Sequence, residues 1–256
     1  MRRLTRNLAA LLAALLLAAG CNTLEVAEGD SPEEILAKAR EAMEQRLYSQ
    51  AIDNYQRLES LYPYSRRAIQ AQIMTAYAYY LKGDSLAAVN AAERFIRLHP
   101  SNPHVDYALY LKGIAQYQKI GKSDRDPEPA RKALEALSQL IRQHPESEYV
   151  PDAHARLRKV DEILAAHELH VARFYMDREA FLAVANRTQT ILTEHPGTPS
   201  VEPALALLTR SYAELRLEDL ARDTLAILSE NYPDSSYLSG ARSAVSDRFG
   251  ESANDN

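Results

Sequence analysis

The sequence predicts an all-α chain, a right-handed solenoid of five helical hairpins closed by a C-terminal capping helix. Three observations predict it. First, an aromatic residue or His followed by Pro recurs at Tyr62-Pro63, His99-Pro100, His144-Pro145, His195-Pro196 and Tyr232-Pro233, with the prolines 37, 45, 51 and 37 residues apart. Each proline ends a helix, because its ring clashes with a continuing turn. Second, the stretches between these marks carry apolar residues at helical spacing. Third, small residues recur at matching distances before the marks: Ala39 and Ala51 before Pro63, Ala76 and Ala88 before Pro100, Ala221 before Pro233. Alanines at such positions suit helix crossings, where a larger side chain would overpack by roughly 1–3 kcal/mol.

The clearest hairpin is residues 69–100. A first helix over 69–81 places Ile73, Ala76, Tyr77 and Tyr80 on helical spacing. Gly83 suits a left-handed C-cap and Asp84 the next N-cap. A second helix over 85–98 carries Ala88, Ala91, Ala92, Phe95, Ile96 and Leu98. Punctuation at 34 residues or more, with Tyr79, Gly83, Tyr55 and Tyr212 at matching offsets, resembles the tetratricopeptide repeat. One such repeat cannot bury its apolar face alone, so five are expected to stack.

The first thirty residues differ in kind. Arg2, Arg3 and Arg6 precede an apolar run over residues 8–19. Twelve residues are too few to span a bilayer and fit a secretory signal, assigned to residues 1–20. The run ends Leu17-Ala18-Ala19-Gly20-Cys21, and Cys21 is the sole cysteine. This resembles a bacterial lipobox, with Ala18 where Leu is usual, so Cys21 is the expected lipidation site. An ordinary signal followed by a chance cysteine is the competing reading. Loss of residues 1–20 removes three arginines and takes the net charge from −5 to −8. An acidic chain has no global attraction to anionic lipid or nucleic acid, so the membrane link is the acyl anchor. Residues 21–31 are expected to form a polar tether. Ser31, Pro32 and Glu34 then open the first helix as N-cap, first helical position and capping box.

Repeats one to three are assigned to residues 32–145 and repeats four and five with the cap to 146–249, leaving 250–256 as a disordered tail. Repeat one turns near Leu47-Tyr48. Repeat three carries an insertion over 120–129, IGKSDRDPEP, which is either a partner contact or a solvated connection. Repeat four opens on a helix of some 25 residues, 150–175, broken near Met176-Asp177-Arg178. The cap is expected over 236–248.

The sequence carries no phosphate-binding glycine loop and no nucleophile elbow. His167 and His170 stand three apart, whereas zinc proteases require four on a helix, so a solvated or half-buried face is the better reading. The three histidines at the proline marks occupy one repeat position and are expected to pack helix ends. No enzyme, cofactor or metal is expected.

Four runs carry a closer resemblance: residues 62–113, DRDPEPARKAL at 124–134, HPESEYVPDAHARL at 144–157 and ARFYMDREAFLAVANR at 172–187. In order and with the same insertion, they resemble the BamD family of outer-membrane assembly lipoproteins. The resemblance implies five tetratricopeptide repeats, the periplasmic face of the outer membrane, and no enzymatic activity. It also implies contact with a BamA-like barrel subunit, with BamC- and BamE-like lipoproteins where present, and with unfolded outer-membrane proteins. Asn22, following the cysteine, is compatible with outer-membrane sorting in such lipoproteins. Phe174 departs from the Tyr frequent in the family.

Two candidate surfaces follow. Tyr55, Tyr62, Tyr64, Arg66 and Arg67 would form a substrate pocket, with aromatics for apolar side chains and arginines for a terminal carboxylate. Repeat core is the competing reading for any single tyrosine. Phe174, Tyr175, Arg178 and Arg187 would form a partner surface. The resemblance places Arg187 where coupling to the barrel subunit or substrate is assigned, and its apolar surroundings in sequence suggest an outward side chain. The rival function in the same fold is a repeat scaffold for cell-wall synthesis or envelope constriction.

Overall fold

The computed structural model describes residues 24–122 and 124–250. The signal peptide, Cys21 and the tail after Gly250 lie outside them. The described residues hold eleven helices in chain order. They are α1 (Pro32–Glu44), α2 (Tyr48–Leu61), α3 (Arg66–Lys82), α4 (Ser85–Leu98), α5 (Val105–Gln118), α6 (Glu128–Gln143), α7 (Val150–Met176), α8 (Phe181–Glu194), α9 (Val201–Glu214), α10 (Glu218–Asn231) and α11 (Leu238–Phe249). The expected all-helical fold of tetratricopeptide-like hairpins is what the structure shows.

The proline marks share one geometry. Tyr62, His99, His144, His195 and Tyr232 each cap a helix with φ between −131° and −135° and ψ between 45° and 62°. Each donates its N–H four residues back, and its carbonyl accepts from the residue three ahead: Ser65, Asn102, Ser147, Thr198 and Ser235. Proline fits the second place of that turn because its φ is already set. Three of the side chains reach back to earlier segments. Tyr62 Oη donates to Asp30 O at 2.8 Å, His99 Nε2 lies 2.7 Å from Gln72 Oε1, and His195 Nδ1 lies 2.6 Å from Asp161 Oδ1.

The turns inside hairpins share a second geometry. A single left-handed residue stands at Arg46 (φ 60°), Gly83 (φ 86°), Glu179 (φ 57°) and Arg216 (φ 62°). Only the second turn uses the residue that adopts this conformation freely. Gly83→Ala is expected to lower stability by about 1 kcal/mol, the cost of forcing an L side chain there. A thermal melt checks it; an unchanged midpoint would show that the turn tolerates alanine as it tolerates Arg46.

The helices form two compact units divided between Ala115 and Gln116, inside α5. The expected division stood after Pro145. The contacts explain the difference: α6 packs on α7, so the second half of repeat three belongs with the second unit.

In the first unit α1 to α4 pack each on the next, and α1 also touches α3. The anticipated alanines Ala39, Ala51, Ala76 and Ala88 are fully buried, as is Ala221 in the second unit. The opening of α1 is as expected: Ser31 N donates to Glu34 Oε2 at 2.8 Å, and Glu34 N to Ser31 Oγ at 3.3 Å. The segment before it is a correction to the tether. Leu24 and Val26 are buried with Ile35, Leu36, Leu58 and Tyr55. Asn54 Nδ2, itself buried, donates to Leu24 O at 2.8 Å. Lys38 Nζ donates to Glu25 O at 3.0 Å and to Asp30 Oδ2 at 2.7 Å. Residues 24–30 are thus a strap fastened to α1 and α2, because two apolar side chains every other residue are worth burying in a small core.

In the second unit α7 packs on α6 and α8, α9 on α8 and α10, and α11 closes against α9 and α10. The long helix of repeat four is confirmed at 27 residues. Of the insertion, Ile120 is half-buried against the core of Ala130, Ala133, Val160 and Leu164.

Candidate functional site

The first unit presents a polar cleft of about 280 Å³ across α2, α3 and α4. Its side chains form two hydrogen-bonded groups. Arg94 Nη1 donates to Glu59 Oε2 at 2.9 Å, and Nη2 engages the other carboxylate oxygen, making a fork-to-fork pair. Gln72 Nε2 donates to Glu59 Oε1 at 3.0 Å while its carbonyl faces His99. Gln56 Nε2 donates to Tyr79 Oη at 3.1 Å. Hydrogen bonding from Arg94 holds the Glu59 carboxyl below the usual range, and the same bond raises Arg94. Amide, hydroxyl and charged groups held in place beside open space suit the backbone of an extended peptide. Sequence reasoning missed this cleft. The signal was present: Gln56 and Glu59, Gln72 and Tyr79, and Asn90 and Arg94 fall on polar stripes at helical spacing.

The anticipated tyrosine–arginine pocket is not assembled. Tyr55 is 0% exposed within the core, and burial pushes its phenol up to about 12. A ring so placed lines no pocket, which corrects that assignment. Tyr62 is half-buried and committed to Asp30 O. Tyr64 is 100% exposed on the turn before α3. Arg66 is exposed, and Arg67 Nε pairs with Glu33 at 3.2 Å. Tyr64, Arg66 and Arg67 therefore share an exposed stretch at the start of α3 and do not line the cleft.

In the second unit the partner residues divide in two. Phe174 and Tyr175 meet edge to face at 5.6 Å, and the Arg178 guanidinium stacks 3.6 Å above the Phe174 ring while donating to Phe174 O. Phe174 stays 47% exposed, and Leu182 in the first turn of α8 is 65% exposed. This is a rigid aromatic knob with apolar surface left uncovered. Arg187 belongs elsewhere. Its Nη1 donates at 3.0 Å to Glu168 Oε2, whose side chain is 8% exposed, and Arg131 Nη2 stands 3.9 Å from the other oxygen. Arg187 is 45% exposed, so it is a surface side chain whose head turns inward to a buried carboxylate. No spacing rule links Arg131, Glu168 and Arg187, which lie on three helices.

No group of three metal-ligating side chains occurs among the described residues, and none of their helices is long and apolar enough to cross a membrane. Stacked helical hairpins define a class, the helical repeat proteins. Comparison with known proteins narrows it. The family profile described as "YfiO: Outer membrane lipoprotein" matches residues 28–228. An outer membrane protein assembly factor BamD of Neisseria meningitidis is 40% identical over 227 residues, 85% of each chain. The BamD of Vibrio cholerae is 31% identical over 231 residues, 86% of this chain and 96% of that one. A solved structure of the TPR2AB domain of yeast Sti1 has 13% identity and a TM-score of 0.43, covering 84% of this chain and 83% of that one, too loose a likeness to bear on the fold. The chain belongs to the YfiO/BamD family of outer-membrane assembly lipoproteins.

Proposed function

We propose that the chain is a scaffold in outer-membrane protein assembly, anchored through Cys21 to the periplasmic face of the outer membrane. It holds a BamA-like barrel subunit, with BamC- and BamE-like lipoproteins where present, and receives the extended C-terminal segments of unfolded outer-membrane proteins. Membership of the family carries the reading. The structure supports it with a preorganised cleft for an extended chain in the first unit and the Phe174–Tyr175–Arg178 knob in the second. Tyr62, Tyr64, Arg66 and Arg67 would guide a substrate beside the first unit without enclosing it. The work asked of such a protein is binding, which many modest contacts supply without a cofactor. Affinity purification of the tagged full chain from mild detergent tests it. A large β-barrel protein with periplasmic repeat domains is expected among the co-purified chains; recovery of cell-wall synthases without any barrel would overturn the proposal.

A further inference from the structure

The second unit contains a cavity that none of the surfaces above includes. It measures about 320 Å³ and lies between the end of α7, the face of α9 and the first turn of α11. One wall is apolar, built by Pro203, Ala206 and Leu207 of α9 and by Tyr237. Arg173 from α7 and Arg210 from α9 stand at the same cavity. Neither arginine has an acidic partner among the described residues, whereas Arg156 and Lys159, also on α7, are each paired. No Asp or Glu lines the cavity.

We infer that this cavity binds the C-terminal carboxylate of a peptide whose last residue is apolar. Two guanidinium groups from different helices provide forked donors for one carboxylate. The apolar wall receives the side chain next to it, and Ser236 and Ser239 offer hydroxyls for the amide of the last peptide bond. A plain inorganic anion would leave the apolar wall unused. The volume is at the lower end for ligand sites, enough for a terminal residue and too little for a long acyl chain. Charge complementarity decides the occupant, since two arginines without acidic partners and no carboxylate in the lining favour an anionic group. The inference rests on the reading that client chains are recognised by their C-terminal segments, and it moves the terminus itself from the first unit to the second.

Fluorescence anisotropy on the full chain tests it, with a labelled decapeptide ending in Phe as free acid or as amide. The acid is expected to bind, and the amide about tenfold more weakly or worse. Arg173→Gln with Arg210→Gln should reduce acid binding to the amide level. Both side chains are exposed, so the variant's melt should match that of the unmodified chain. Gly240→Leu should block the peptide while keeping both arginines, because a Cβ at Gly240 meets no atom within 4 Å and the new side chain enters the cavity. Undiminished acid binding by the double variant would overturn this site and leave C-terminal recognition standing. Equal binding of acid and amide, or no binding to the unmodified chain, would overturn both.

Discussion

Arg187→Glu is expected to lower the stability of the second unit by about 3 kcal/mol, a drop in melting midpoint of roughly 10 °C. The reason is Glu168. Its carboxylate is nearly withdrawn from water, and the Arg187 guanidinium at 3.0 Å is its main compensation, with Arg131 more distant at 3.9 Å. Reversing the charge sets two carboxylates against each other, one of them buried, where solvent screens them only in part. Glu168→Gln in the Arg187→Gln background should recover most of the loss, since two neutral amides can still hydrogen-bond. A melt of Arg187→Glu within a degree or two of the unmodified chain would show that the pair is worth no more than a surface ion pair. The prediction bears on function as well. If Arg187→Glu abolishes association with a partner, loss of fold and loss of contact are confounded, and the neutral pair is the variant that separates them. Phe174→Ala removes the knob without touching the buried carboxylate and is the cleaner probe of a partner surface.

Leu24→Ser combined with Val26→Ser is expected to destabilise the first unit by about 3 kcal/mol. Two side chains leave the core at roughly 1.5 kcal/mol each, and Asn54 loses the carbonyl it holds inside the protein. The gain in strap entropy returns part of this. Limited proteolysis provides a second readout: cleavage within residues 24–30 should become fast in the variant and stay slow in the unmodified chain. An unchanged melt together with unchanged proteolysis would mean that the strap contributes nothing to the core.

The helices were legible wherever a local rule fixes them. Ser31, Pro32 and Glu34 announce α1, Gly83 and Asp84 break the second hairpin where they stand, and five prolines mark five identical caps. The alanines at helix crossings were equally plain, because only a small residue fits there. The start of α3 was missed by three residues, since Ser65 caps it by accepting the Arg67 N–H at its Oγ, which a scan for apolar spacing does not register. The strap was misjudged because two buried side chains in a polar stretch lack the length to show a period. The site was legible only in part. Composition singled out tyrosines, yet Tyr55 is core and Tyr64 is bare surface, and nothing local in the sequence distinguishes them. The Glu59–Arg94 fork, the Glu168 node and the Arg173–Arg210 hollow each join helices far apart in sequence, so they exist only once the hairpins have stacked.

The strap also has a mechanical side. If the acyl chain is attached at Cys21, only two residues separate it from Leu24, a slack of about 10 Å where nine free residues would have given about 30 Å. Tension between membrane and protein would then not be absorbed by loose chain. It would pull directly on Leu24, Val26 and the Asn54 hydrogen bond, and so on the first hairpin. With such an anchor, the same short leash would hold the first unit within touching distance of the lipid surface, and a chain bound there would be held at the bilayer.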